Sequence, residues 1–317
     1  MSERLDALAA ALGETAHDRG SWHLLAQCDH ATLADAMRRA GIVADALVVD
    51  APYSERTHAG HDDGTASANR VASWAVSRAA KGRSDTRTRS APALRARAQR
   101  LGQERREIDY AHWSTSDVEA FLDAWSDRCG WLVSLTDHVL AAEWDAACEE
   151  RGRYTFAPIA CVEHGSRIRL AGDGPPQWST WLVASAQVSR PASREFLDAW
   201  HTKRWEHGLA PRGAYVGGKE AKEVAGGKPL WLMRAIVGDY SASGDLVVDP
   251  CAGGGTTLVA AIELGRLAVG CEPDAGRYEI ARARCSKARP QMRLSLDVAA
   301  EERAQSALDL SPEGGAQ

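Results

Sequence analysis

Two stretches of this 317-residue chain bring together residue types that could do chemistry. The first is Asp50-Ala51-Pro52-Tyr53, which closes the apolar run ADALVVD at 44–50. A carboxylate, a constrained backbone and an aromatic ring then stand at a strand's carboxyl end, where open α/β sheets place their ligands. The set suits attack by an amino nitrogen that is a poor nucleophile because it shares its lone pair with a ring, as on a nucleobase. The Asp50 carboxylate and the Ala51 carbonyl can accept its two N–H bonds, which favours a pyramidal nitrogen with the lone pair outward. Tyr53 can stack on a flat base, and Pro52 fixes φ. A methyl on a sulfonium could then be displaced in line, positioning doing most of the work.

The second stretch is GDLVVDPCAGGGTTLVAAIELGRLAVGCEPD at 244–274. A buried strand ends at Asp249-Pro250, and the loop Cys251-Ala252-Gly253-Gly254-Gly255 opens into a helix at Thr256-Thr257. Glycines there permit positive φ and close approach of a ligand to the main chain. A helix start offers free N–H groups to an anionic group such as a carboxylate. Glu272 ends the next strand, placed to accept both hydroxyls of a ribose. A P-loop would need Lys where Thr256 stands, and GxGxxG is not matched. A nucleoside-containing cofactor follows.

The elements that must position these residues are legible as apolar runs. Strands are expected at 22–27, 44–50, 130–136, 156–162, 180–186, 245–250 and 267–273. Most are continuous, as buried parallel strands are. Helices are expected at 31–41, at 116–129 with Ser116 and Glu119 as a capping box, at 229–240 behind Pro229, and at 256–265 before Gly265. The start of the chain reads as an amphipathic helix on Leu5, Leu8 and Leu12, not a signal peptide. Strands alternating with helices argue for a doubly wound α/β sheet, with 156–162 and 180–186 as a long hairpin at one edge.

Lys and Arg total 38 against 43 Asp and Glu, a net charge of −5, so a uniformly basic nucleic-acid binder is excluded and any basic surface is local. The seven cysteines form no CxxC pair, which argues against a disulfide framework or zinc knuckle and fits a reducing cytoplasm. No apolar run is long enough for a membrane span. Two stretches break the strand–helix alternation. Residues 70–106 hold eleven Lys and Arg against Asp85 and Glu104, and 188–227 is rich in Gly, Trp and basic residues. The segment at 55–63 contains His58, His61 and two adjacent aspartates. It lacks a defined further ligand, and the inferred reaction needs no metal. It reads as a mobile loop closing over a base, with Ser54, Arg56 and His58 near it. In the basic stretch Arg83, Arg87, Arg89, Arg95 and Arg97 could track phosphates.

Together these motifs resemble the S-adenosylmethionine-dependent DNA amino-methyltransferases. Their catalytic motif is (Asp/Asn/Ser)-Pro-Pro-Tyr. Their cofactor motif, Asp-Pro-Phe-x-Gly-x-Gly-Thr-Thr, reads here Asp249-Pro250-Cys251-Ala252-Gly253-Gly254-Gly255-Thr256-Thr257. Lys228-Pro229-Leu230-Trp231-Leu232 looks like a third family motif, and Cys28-Asp29 like the family's adenine-facing Gly-Asp. The catalytic motif precedes the cofactor motif, which resembles the permuted beta class. The departures are Ala51 for the first Pro and Cys251-Ala252 for Phe-x.

The resemblance covers roughly residues 20–287 and implies a circularly permuted, mostly parallel seven-stranded sheet with one reversed strand. The domain expected is a single one at 1–287, carrying an inserted basic DNA-contacting segment at 64–110 and a target-recognition segment at 188–227. Residues 288–317 are expected to be a flexible tail. Asp29, Lys228, Asp249, Pro250, Cys251, Gly253, Gly255, Thr256, Thr257 and Glu272 would face the cofactor; helix capping competes for Asp29, and Lys228 could instead neutralise a surface. The implied reaction is methyl transfer to N6 of adenine in DNA, with the base flipped out of the helix. N4 of cytosine is the alternative. A DNA-binding module that lost turnover and an RNA methyltransferase are the other readings. A homodimer is compatible with the resemblance, and a restriction-modification setting with a stand-alone or partnered enzyme.

Overall fold

The structure, a computed structural model, describes residues 2–62, 110–164, 177–187, 213–224 and 226–291. The basic stretch with Arg83, Arg87, Arg89, Arg95 and Arg97 lies outside the described residues, as do most of 188–227 and everything beyond 291.

In chain order the described elements are α1 (Ser2–Leu12), β1 (His17–Arg19), β2 (His23–Ala26), α2 (His30–Arg39), β3 (Ala44–Asp50), α3 (Glu55–Asp62), α4 (Thr115–Trp125), β4 (Cys129–Thr136), α5 (Ala141–Glu150), β5 (Tyr154–Thr155), β6 (Ile159–His164), β7 (Gln177–Ala186), β8 (Ala214–Gly218), α6 (Leu230–Tyr240), β9 (Leu246–Asp249), α7 (Thr256–Glu263), β10 (Leu267–Cys271) and α8 (Ala275–Cys285). The strands form one sheet ordered β1-β2-β10-β9-β3-β4-β7-β6-β8, with β5 on β7. From β2 to β4 neighbouring strands are parallel. β7 runs against both β4 and β6. The expected seven-stranded core with one reversed strand is therefore present between β2 and β6, and the β6–β7 pair is the expected hairpin. The sheet is wider than that expectation by the short strands β1, β5 and β8. Strand β8 extends the far edge, so 214–218 is part of the scaffold and not an insertion standing off it.

Side chains alternate across each central strand, so the sheet has two apolar faces. On one, Leu47, Val49, Val248 and Val269 pack under α1, α2, α4 and α5, with Leu5, Leu33, Phe121 and Trp144 fully buried. On the other, Ala46, Val48, Val133 and Val247 meet Ile236, Leu258 and Ala281 from α6, α7 and α8. Burial on both faces is why the central strands read as continuous apolar runs. Helix α1 buries Leu5, Leu8 and Leu12, the stripe its sequence predicts.

Some local signals land one step off. The capping box of α4 is Ser114 with Asp117, two residues ahead of the expected Ser116–Glu119 pair. The stretch expected as a mobile loop is helix α3. Helices α5 and α8 went unpredicted. Ahead of the first, Asp137 accepts the Leu140 N–H, and Asp274 caps the second through the Arg277 N–H.

Candidate active site at the carboxyl edge of the sheet

Five parallel neighbours, β2, β10, β9, β3 and β4, end at one edge, and an acidic residue stands at or just past the end of each: Asp29, Glu272, Asp249, Asp50 and Asp137. Because β9 and β3 are directly paired, through Ala46↔Val247 and Leu47↔Val248, the glycine loop and the Asp50-Ala51-Pro52-Tyr53 turn emerge side by side although about two hundred residues separate them in the chain.

The glycine loop is shaped by backbone demands. Gly253 and Gly255 have φ of +51° and +74°. A Cβ on Gly255 would lie 3.0 Å from the Ala281 Cβ, so this residue also lets α7 start against α8. A Cβ on Gly253 would meet nothing within 4 Å, so that stretch of loop faces open space that a ligand can enter. Asp249 is buried; its Oδ1 accepts the Cys251 N–H at 3.0 Å, and the Thr257 hydroxyl also hydrogen-bonds its carboxylate. Arg284 binds the Gly254 carbonyl, and its Nη1 lies 3.0 Å from the Thr256 Oγ1. The Cys271 thiol donates to the Pro250 carbonyl at 3.1 Å. Glu272 ties the loop to the next strand: Oε2 accepts the Gly253 N–H at 2.9 Å and Oε1 the Asp274 N–H at 3.0 Å.

Burial and mutual repulsion shape the acids of this edge. Burial pushes the Asp249 carboxyl up to about 7, and the nearby charges of Asp50 and Glu272 add to the rise. Burial raises Glu272 as well. The Cys251 thiol is driven well above its ordinary value by burial and then by Asp249, Glu272 and Asp50.

At the second turn Asp50 Oδ2 accepts from Lys228 Nζ at 2.7 Å, and the Tyr53 hydroxyl lies 3.3 Å from Oδ1. The ammonium also sits 4.9 Å from the centre of the Tyr53 ring. Lys228 was expected toward the cofactor or at a surface; its side chain is 8% exposed and paired with Asp50. Burial, then the Asp50 charge, raises the Tyr53 phenol well above its ordinary value, so the ring stays neutral. Ala51 is buried and Pro52 half-buried.

Three expected residues have other employment. Ser54, expected near DNA, is buried, with its N–H and hydroxyl both donating to Asp137 Oδ2. His58 is buried too, edge-on to Tyr110 at 5.3 Å. Of Ser54, Arg56 and His58, Arg56 alone is exposed. Asp29 caps α2 by accepting the Thr32 N–H at 2.8 Å, and that bond lowers its carboxyl. The helix-capping reading of Asp29 is therefore realised in the structure.

Sequence reasoning missed Asp137 and Tyr110. Asp137 carried no motif, yet it binds Ser54, Thr57, Val139 and Leu140. Burial would raise its carboxyl, but the hydrogen bonds from Ser54 and Thr57 prevail and hold it low. Tyr110 stands where the two halves of the site meet. The Arg277 guanidinium lies 5.1 Å over its ring. Its phenol is raised by burial and then by Asp50, Cys251 and Glu272, groups drawn from both turns. A Cβ on Gly226, whose φ is +75°, would lie 2.8 Å from the Tyr110 hydroxyl, so glycine is required there. No spacing rule ties Tyr110 to either motif; it is brought in by the fold.

Residues 159–283 match the family model described as DNA methylase. The match takes in Lys228, the glycine loop and Glu272 and bears out the resemblance read from the motifs; Asp50 to Tyr53 lie before it. The type II methyltransferase M.HindIII of Haemophilus influenzae is 46% identical over 54 residues, 17% of this chain and 18% of that protein. M.MthZI of Methanothermobacter thermautotrophicus, also a type II methyltransferase, is 27% identical over 127 residues, 39% of this chain and 35% of its own. The chain thus spans about a third or less of the curated relatives it matches. Among solved structures, M1.HpyAVI superposes with a TM-score of 0.50 at 12% identity, covering 82% of this chain and 96% of that one. That likeness is one of fold.

Proposed function

We propose that this chain, whose residues 159–283 carry the DNA-methylase match, transfers a methyl group from S-adenosylmethionine to an exocyclic amino group of a DNA base, N6 of adenine. The observation that carries the reading is the pairing of β3 with β9, which sets the Asp50 carboxylate beside a glycine loop faced by Asp249 and Glu272. The curated relatives are named as type II methyltransferases, which supports the same activity.

The residues fit such a cofactor. Gly253 opens toward space, and the α7 N-terminus suits a carboxylate. When bound, the cofactor supplies an electrophilic methyl on cationic sulfur. Glu272 lies at the strand end where a ribose would be held, its oxygens bonded to the Gly253 and Asp274 amides. Asp50 and the Ala51 carbonyl accept the two N–H bonds of the target amine and point its lone pair outward. Tyr53 bounds the base, its face shared with the Lys228 ammonium. A base stacked in a duplex cannot reach Asp50, so it must be rotated out.

Asp50 rather than Ser at the head of the motif favours adenine. The test is to incubate the full chain with tritiated cofactor and unmethylated genomic DNA and to digest to nucleosides. Label in N6-methyldeoxyadenosine is the expected result. Label in N4-methyldeoxycytidine would move the assignment to cytosine, and label in neither would overturn the reading.

A further inference from the structure

We infer that Lys228 serves the base side of the site: its ammonium fixes the Asp50 carboxylate so that Oδ1 is the oxygen offered to the target amine, and it does not hold the carboxylate of the cofactor. This rests on the methyl-transfer reading above and adds a positioning residue to it.

Three contacts of Nζ define its place. It donates to Asp50 Oδ2 at 2.7 Å and to the Gly226 carbonyl at 3.2 Å, and it lies 4.9 Å from the Tyr53 ring centre. All three keep it with the Asp50–Tyr53 turn. The stem that carries it is built in. Pro229 stands at the start of α6, whose Leu230 N–H donates to Glu220 Oε2 at 2.5 Å. On the other side Gly226 is held in a positive φ against the Tyr110 hydroxyl. A short Gly-Gly-Lys-Pro segment pinned at both ends brings the side chain to one place.

The other hold on Asp50 is weak. The Tyr53 hydroxyl at 3.3 Å from Oδ1 lies beyond the usual O–H···O range. An ammonium–carboxylate bond of 2.7 Å is the short, charge-assisted kind and sets the rotation of the carboxyl group. With Oδ2 committed to Lys228, Oδ1 has only the long contact to the Tyr53 hydroxyl and is the oxygen left for a target amine. Without Lys228 the carboxyl group would turn about its side-chain bonds, and a displacement of about 1 Å at a reacting group can cost on the order of a hundredfold in rate.

The test separates the two sides of the site. For the full-length chain and its K228M and K228Q variants, cofactor affinity is measured by titration calorimetry with S-adenosylmethionine. The single-turnover rate is measured at saturating cofactor on unmethylated genomic DNA. Expected for both variants is a saturated rate at least about tenfold lower, with cofactor Kd within about threefold of the parent. Retained cofactor binding also shows that a variant is folded, and K228Q, which keeps a polar end but not the charge, carries the test should K228M not fold. A cofactor Kd weakened tenfold or more in a folded variant would assign Lys228 to the cofactor and overturn the inference. An unchanged rate with unchanged Kd would make it a bystander and overturn it equally. Should the parent chain transfer no methyl, the functional reading falls and this inference with it; should the parent transfer and K228M match it, only the inference falls.

Discussion

The Asp137 carboxylate accepts both the backbone N–H of Ser54, at 3.0 Å, and its hydroxyl, at 2.5 Å, so the residue that follows the Asp50–Tyr53 turn is fastened to the neighbouring strand end. The other oxygen accepts the Val139 and Leu140 N–H groups at the start of α5. One buried carboxylate therefore joins that turn to the residues just ahead of a helix. Replacing Asp137 with Ala leaves several of these donors without a partner. The expected cost is roughly 2–3 kcal/mol, read as a lower urea midpoint, with a fall in methyl-transfer rate larger than any change in cofactor affinity. An unaltered midpoint would show that the clamp carries no weight.

Asp249 makes a prediction about pH. Its carboxyl is raised from 3.8 to about 7, first by burial and then by Asp50 and Glu272, against hydrogen bonds from Thr257 and Cys251 that oppose the rise. A raised carboxyl binds its proton more tightly in the native state than in the unfolded chain. Its contribution is full below the unfolded value and is lost as pH rises toward the folded one. Asp249→Asn is neutral throughout and keeps an acceptor for the Cys251 N–H. Its stability advantage over the parent should grow between pH 4 and pH 7 and level off above, reaching roughly 4 kcal/mol. Thermal melts of both proteins across that range read it. A gap that does not vary with pH would contradict the account of this carboxyl.

The glycines of the cofactor loop should differ from one another. Gly255→Ala places a methyl 3.0 Å from the Ala281 Cβ at a φ of +74°. Both the strain and the contact act, and a loss of about 2–3 kcal/mol with loss of cofactor binding is expected. Gly253→Ala has a φ of +51° and open space around the new carbon. It should cost only about 1 kcal/mol and weaken the cofactor more than the fold. Equal effects of the two variants on melting temperature would argue against the helix contact at Gly255.

Asp50→Ala should separate binding from chemistry. Asp50 lies on the base side of the glycine loop, and its recorded partners are Lys228 and Tyr53. The variant should bind S-adenosylmethionine with parental affinity while its methyl transfer falls by two orders of magnitude or more, as about 10²–10³ is typical for loss of one positioned polar group. Retention of most of the activity would remove Asp50 from the reaction.

Much of this edge was legible before any coordinates. Asp50, Asp249 and Glu272 end apolar runs, and a run buried on both faces has few other ways to fold than as a parallel strand. Val48 and Val247, or Leu47 and Val248, then follow from alternation. Asp137 was not legible, because its worth lies in donors from Ser54 and Thr57, some eighty residues earlier. The pairing of Lys228 with Asp50 was not legible either, since the two lie 178 residues apart and only the fold decides which oxygen the ammonium finds. Ser54 and His58 looked like loop residues because α3 has a weak apolar stripe; their burial comes from Asp137 and Tyr110 pressing on them. Strand β8 is short and glycine-rich, with Val216 exposed, and leaves no periodic trace.

In the proposed reaction a sulfonium methyl and a target amine meet between the glycine loop and the Asp50–Tyr53 turn. A crystal structure of the chain with S-adenosylmethionine bound tests it most directly. The account predicts the cofactor lying along Gly253 and Glu272 with its methyl facing Asp50 Oδ1 across a gap wide enough for one flat base. A methyl turned away from Asp50, or a gap closed by packed side chains with no path for a base, would contradict it.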